Sequence, residues 1–247
     1  MTFVRRPLTQ GDLDLFITAH ERLVEGRPGG RRLALKFVDL NGLDLSGRNL
    51  AEADFTGCAL ENARLVNACL NGAVLFCADL RGADFTGAQL VRADLRGACL
   101  RGASLMNADL TRADFREGVI AVPHATKGLA AVKHETRQGV ADGATFAGAT
   151  LDGGHFDGIN AFKADFTDCS MRGAMLTGAN LDSLPIGKDR SMAVMLVEAS
   201  LRFARLEGAM LDGARLDGAD MSGARIDAGA LTDEQRRATE TRIAAAA

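Results

Sequence analysis

Four histidines, five cysteines and a dense set of aspartates are the residues whose types could do chemistry. His20, His124, His134 and His155 show none of the three- or four-residue spacings by which a helix brings two imidazoles to one metal ion. Cys58, Cys69, Cys77, Cys99 and Cys169 contain no Cys-x-x-Cys pair, and their odd number argues against both a disulfide framework and a zinc knuckle. A reducing, cytoplasmic setting is the expectation. The aspartates could serve acid–base work. However, Asp54, Asp79, Asp84, Asp94, Asp109 and Asp114 recur at one fixed step, where Asp side chains commonly bond local backbone. No Gly-x4-Gly-Lys-Ser/Thr loop is present, and Gly falls at turn spacing rather than before a helix. The expectation is a chain that is not an enzyme, with no cofactor and no metal.

What must position these side chains is a repeat of five. From Leu40 to Phe115 all sixteen positions divisible by five are Leu or Phe. Two residues before each, from Ala53 to Ala113, twelve of thirteen positions are Ala and the other is Cys58. A period of five fits neither a helix nor a flat strand. A chain that turns a corner every five residues resolves the conflict. Leu or Phe then points inward, Ala two residues earlier points inward at the corner, and Gly tolerates the turn. Four units make a coil of about twenty residues, and coils stack at about 4.8 Å. The predicted core includes Leu40, Leu45, Leu50, Phe55, Leu80, Phe85, Leu110, Phe115, Phe146, Leu151, Phe166, Leu176, Leu201, Leu211 and Leu216. Each contributes roughly 1.5–3 kcal/mol on burial, so such a core holds without Trp or Tyr, and the chain has neither.

Units such as Ala53-Asp54-Phe55-Thr56-Gly57 and Ala83-Asp84-Phe85-Thr86-Gly87 resemble the pentapeptide-repeat family. The resemblance implies an all-β solenoid, a right-handed quadrilateral β-helix, here of about eight coils. The register fails after Phe115 and resumes at Phe146, and it weakens again over 184–194 before Leu196 returns. The stretch Lys127–Glu135 reads as a short helix or a flap. The 184–194 stretch either stays in the coil or bulges locally. Open solenoid ends need caps. Thr9 starts a helical pattern with Leu13, Phe16, Ile17, His20 and Val24 on one face. Thr232-Asp233-Glu234-Gln235 reads as a capping box before a second helix. The expected organisation is a helical cap over 1–34, β-helix segments over 35–115 and 144–231, an insertion loop over 116–143, and a C-terminal helix and tail over 232–247.

The formal charge of −3 gives no reason to expect direct nucleic-acid or membrane contact. No apolar run is long enough to span a bilayer, and Met1–Pro7 lacks the apolar stretch of a secretion signal. Protein partners are more promising. Val66, Val74, Phe76, Cys77, Val91 and Met106 put apolar side chains at outward positions. Val74, Phe76 and Cys77 share one side, either as an exposed patch or beneath the cap or the insertion. The insertion adds Lys127, Lys133, His134 and Arg137 as candidate contacts. Cys58 and Cys169 are expected to be inert packing, while Cys69, Cys77 and Cys99 face outward.

The function expected is a non-enzymatic scaffold that presents rigid β-helix faces and a loop to a protein partner. Resemblance to the quinolone-resistance branch of the family implies an alternative. That alternative is a DNA mimic that binds DNA gyrase or topoisomerase IV and protects it from quinolones or toxins. A homodimer through the C-terminal end is implied only by the same resemblance. A mimic needs uncompensated carboxylates. Residues 35–115 carry ten acids against eight bases, and 143–227 twelve against eight, which ranks the mimic second.

Overall fold

A computed structural model describes residues 6–124, 128–185 and 191–245. Its body is a ladder of isolated parallel bridges. Asp54 bridges Val74, Val74 bridges Asp94, and Asp94 bridges Asp114, twenty residues at each step. This column begins at Ala34 and marks the first face. Columns from Asp39, Asp44 and Asn49 mark the second, third and fourth. Each side of a coil gives one residue to extended pairing before the chain turns, so the walls are rows of single bridges rather than long strands. Phe55 N donates to Val74 O of the next coil at 2.7 Å, Asp54 N to Leu33 O of the previous one at 2.9 Å, and Cys58 N closes the corner onto Phe55 O at 3.0 Å. Most backbone groups are thereby paired along the walls, and at corners a side chain such as Asp54, which accepts from Thr56 N, takes up a remaining amide.

The interior follows the five-residue step. Leu40, Leu45, Leu50, Phe55, Leu80, Phe85, Leu110, Phe115, Phe146, Leu151, Phe166, Leu176, Leu201, Leu211 and Leu216 are at most 3% exposed. Identical side chains stack directly above one another. Phe115 lies on Phe156 with centroids 4.6 Å apart, and Phe146 on Phe166 at 4.8 Å. Both distances repeat the coil spacing.

Two segments leave the tube. Cys99 bridges Val140 and Asp165 bridges Met195, steps of 41 and 30, so 21 and 10 residues are excluded from the coil. The first forms an antiparallel hairpin of β3 (Gly118–His124) and β4 (Gly128–Arg137), with Ala121 opposite His134. Of the two expectations for this stretch, a short helix or a flap, the chain takes the flap, as a hairpin. Val119, Ile120 and Val122 are β-branched, and such side chains suit a pleated surface. The second excursion is a small hairpin of β5 (Leu184–Pro185) and β6 (Ser191–Met192). Leu196 therefore follows Leu181 as the next side of the coil.

At the N-terminal end β1 (Arg6–Pro7) pairs in parallel with β2 (Val38–Asp39), in the place of a preceding coil. Helix α1 (Gln10–Val24) starts at Thr9, whose hydroxyl accepts from Asp12 N while Asp12 Oδ2 accepts from Thr9 N. Leu13, Ile17 and His20 are buried against the tube. Phe16 and Val24, expected on that face, are exposed. The contacting arc instead runs toward Gln10 and Glu21, whose polar groups bond the first coil. Glu21 accepts from Asn49 N at 3.1 Å and from both Nε and Nη2 of Arg48. His20 Nδ1 accepts from Leu33 N at 3.1 Å.

Helix α2 (Asp233–Ala245) closes the other end. Thr232 and Gln235 form the reciprocal capping box, at 2.9 and 3.2 Å. Gln235 is buried, and its Nε2 donates to Leu211 O at 2.7 Å and Ala214 O at 3.0 Å. Gly218 N donates to Ala238 O at 3.2 Å. The helix thus supplies donors and an acceptor where a further coil would have supplied them.

Candidate interaction surface

The outward aspartates are engaged locally. Asp54, Asp84 and Asp109 each accept from the backbone N at 3.0 Å and the hydroxyl at 2.6 Å of the Thr two residues on. Where Arg follows instead, it clamps the carboxylate with two nitrogens. Arg81 holds Asp79 at 2.7 and 2.7 Å, Arg96 holds Asp94 at 2.9 and 2.8 Å, and Arg116 holds Asp114 at 3.0 and 2.7 Å. Burial pushes the Asp54 and Asp114 carboxyls up. Hydrogen bonds from Thr56 and Lys36 in the first, and from Arg116 in the second, outweigh it and hold both below the usual carboxylate range. These carboxylates finish turns; they are not paired for acid–base chemistry. Among the described residues no group of three His, Cys, Asp or Glu side chains could hold a metal ion. No described helix is long and apolar enough to cross a membrane.

The first hairpin lies back along the edge between the first and second faces. A Cβ at Gly118 would stand 2.9 Å from Phe76 Cε2 and 3.0 Å from Arg96 O, so only glycine allows this approach. Ile120 is buried, and Phe37 and Ile120 meet at Gly57. Arg137 of β4 donates from Nη1 to Cys77 O at 3.2 Å, and Arg96 caps the Phe76 ring at 5.3 Å. Cys77, at an outward position in a patch expected either exposed or beneath the cap or insertion, is fully buried, and burial pushes its thiol up to about 11. Phe76 is half-buried. The insertion covers this part of the patch, because the Phe76 ring and the Cys77 thiol lose more water beneath a hairpin than beside one.

The other candidates are scattered. Val74 is half-buried on the first face. Val66 and Met106 share the edge between the third and fourth faces, and Val91 sits on the edge between the fourth and first; Met106 alone of these is exposed. His134 is exposed on β4, and Arg137 is half-buried beside Glu135 at 3.5 Å. Lys133 lies in β4, but its side chain, like all of Lys127, falls outside the described residues. Cys58 and Cys169 are buried as inward residues, and burial pushes the Cys169 thiol far up. Cys69 and Cys99 are half-buried. Cys99 lines a shallow cleft of about 520 Å³ at the hairpin base, with Arg81, Arg101 and Arg137 around it. Each of these arginines already has a carboxylate partner.

Residues that the repeat reading passed over decide the character of each edge. Among the described residues twelve non-glycine residues hold the left-handed corner conformation, Asn62 and Lys163 of them on the second–third edge. On the first–second edge they are Phe37 and Cys77; on the third–fourth, Asn67, Asn107, Asp168 and Glu198; on the fourth–first, Glu52, Arg92, Arg112 and Phe203. The signal was legible: each stands where the unit usually places glycine.

The sequence profile of the pentapeptide repeats family matches in eight copies over residues 39–75, 88–117, 142–182 and 196–228. Among solved structures the chain is similar to HetL, a pentapeptide repeat protein involved in heterocyst differentiation regulation in the cyanobacterium Nostoc. Identity is 27%, over 81% of this chain and 94% of HetL, with a TM-score of 0.28. It is similar to QnrB1, a plasmid-mediated fluoroquinolone resistance protein, at 16% identity over 84% of this chain and 88% of that one, with a TM-score of 0.37. A pentapeptide repeat protein of the Arabidopsis thaliana thylakoid lumen shares 32% identity over 54% of this chain and 68% of its own, with a TM-score of 0.17. Superpositions this loose carry no argument about activity. No curated protein matches the chain. The repeats match over more than half of its length, and the chain therefore belongs to the pentapeptide-repeat family, whose fold is the right-handed quadrilateral β-helix.

Proposed function

We propose that this protein is a non-enzymatic scaffold that offers β-helix faces and the first hairpin to a protein partner. The observation that carries this reading is the Asp–Arg clamp. It neutralises Asp79, Asp94 and Asp114 within their own repeats, while Thr ties down Asp54, Asp84 and Asp109, and among the described residues this leaves flat, ordered walls. The hairpin adds a relief feature along one edge, with His134 exposed and Val119 54% exposed. Cross-linking capture with the intact chain and with a chain lacking residues 119–136 tests the reading. A partner held by the intact chain, reduced or lost on deletion, and rebound by the purified pair in calorimetry supports it. Equal recovery by the intact chain and by an unrelated solenoid of similar size removes it.

One observation favours a second reading. Asp168, Glu198 and Asp217 stand at three successive levels of the third–fourth edge, whose one basic residue among the described ones, Arg48, lies in the first coil and is paired with Glu21. Such a row could stand in for a phosphate backbone toward a type II topoisomerase, although Arg215 on the adjoining face reaches Asp217 at 3.0 Å. A supercoiling assay with purified gyrase, with and without a quinolone, decides it. An unchanged reaction in both arms eliminates the mimic.

A further inference from the structure

We propose that the edge between the fourth and first faces is a docking strip for an extended, acid-rich peptide segment of a partner protein. The proposal deepens the scaffold reading and rests on it. Arg92 and Arg112 occupy left-handed corner positions, both at φ 59°. Arg172 and Arg202 stand one residue before the corners of the same edge. Their levels follow the column Gln89–Asp109–Thr150–Ser170–Ser200, so the four arginines span four coil steps, about 19 Å.

What sets this edge apart is the failure of the clamp. On the other faces and edges Arg81, Arg96 and Arg116 are each held by the Asp two residues before them, Arg215 by Asp217, and Arg64 and Arg101 by Asp44 and Asp142 of adjacent coils. Here the corresponding residues are Gln89, Ser170 and Ser200, which carry no charge. Asp109, beside Arg112, is already bonded by Thr111. The edge's own Asp152 accepts from Ser170 Oγ at 2.6 Å and from Arg172 N at 2.9 Å. Among the described residues the Arg92, Arg112 and Arg172 guanidinium groups therefore have no ion pair. Arg202 reaches Asp220 only at 3.9 Å and lies over Phe203, which is 60% exposed.

Guanidinium forks match carboxylates bidentately, and a desolvated fork beside an aromatic ring adds an apolar foothold. The strip is one side chain wide. An extended peptide running along it presents every second side chain about 6.7 Å apart, within the reach of flexible arginines on 4.8 Å levels. A nucleic acid is a poorer fit. Its wider array of phosphates would overhang Asp168 and Glu198 on the neighbouring edge, and like charges there repel it.

The test is fluorescence anisotropy with the full chain and a fluorescein-labelled octaglutamate peptide at low salt. Saturable binding is expected, weakened at least tenfold by Arg92→Glu/Arg112→Glu/Arg172→Glu and unchanged by Lys163→Glu on a different edge. The Arg→Gln triple variant, with its fold checked by thermal melting, separates lost attraction from added repulsion or unfolding and should weaken binding in the same sense. Absence of binding, or equal binding by parent and triple variants, overturns the proposal. So does an oligothymidylate that occupies the strip more tightly than the peptide. If a partner captured by the intact chain is retained by the triple variants, the strip falls while the scaffold reading stands.

Discussion

Gln10 and Asp44 exchange two hydrogen bonds: Gln10 Nε2 donates to Asp44 O at 2.8 Å, and Asp44 N donates to Gln10 Oε1 at 2.9 Å. One side-chain amide thus imitates the peptide group of an absent coil on the third face. Gln235 does the related work at the other end, donating to two carbonyls. The open ends of this solenoid are finished by glutamines carried on helices.

Replacing Gln10 by Leu leaves both groups of Asp44 without protein partners. Because that site borders solvent, a loss of about 1 kcal/mol is expected in urea unfolding. Gln10→Glu keeps the acceptor, loses the donor and should fall between Leu and the parent.

Gln235→Leu acts in a buried position and should cost more, about 1–3 kcal/mol, since Leu211 O and Ala214 O are then desolvated without a donor. Hydrogen exchange should rise first at Gly218, whose amide depends on the docked helix.

Stability should fall with acid in two separate windows. His20 Nδ1 accepts from Leu33 N, which only an imidazole unprotonated at that nitrogen can do. Burial pushes its pKa down, and Arg32 adds to this, against the raising effect of Ala51, Glu21 and Glu52. The unfolded chain therefore takes up the proton first. The contribution is complete above the unfolded value of about 6.5 and is lost as pH falls through the lower folded value. Asp54 and Asp114, also depressed, lose theirs further down, below about pH 4. Thermal melts of the parent and His20→Phe across pH 7.5 to 5 check the first window: the parent should lose stability and the variant should stay level.

Thiol labelling should separate the five cysteines. Cys69 and Cys99 are expected to react in the native protein, while Cys58, Cys77 and Cys169 stay protected. Gly118→Val should lift the hairpin from Phe76 and add Cys77 to the reactive set, read by peptide mass spectrometry. Continued protection of Cys77 in that variant would contradict the close approach described above.

Phe156→Ala removes one ring of the stack that rejoins the coil across the first insertion. A loss of about 3–5 kcal/mol in unfolding free energy is expected, against about 1 kcal/mol for Phe156→Leu, which keeps most of the volume.

The tube was legible in the residues alone. A Leu or Phe every fifth residue, with Ala two before it, admits only a chain that turns after each unit, and every such side chain from Leu40 to Phe115 is buried. Local chemistry was equally legible where it stays within a few residues, as in the Thr9 and Thr232 caps and the Asp that bonds its own corner. Long-range return was not. Phe76 and Cys77 occupy positions that face away from the core in any coil, and their burial depends on β3 and β4 folding back some forty to sixty residues later. Only the fold places Arg92, Arg112 and Arg172, without ion pairs among the described residues, on one edge, by stacking residues twenty, forty-one or thirty apart. Periodicity records which way a side chain points relative to its neighbours in the chain. Exposure and charge compensation depend on what arrives from elsewhere, and that is a property of the folded molecule.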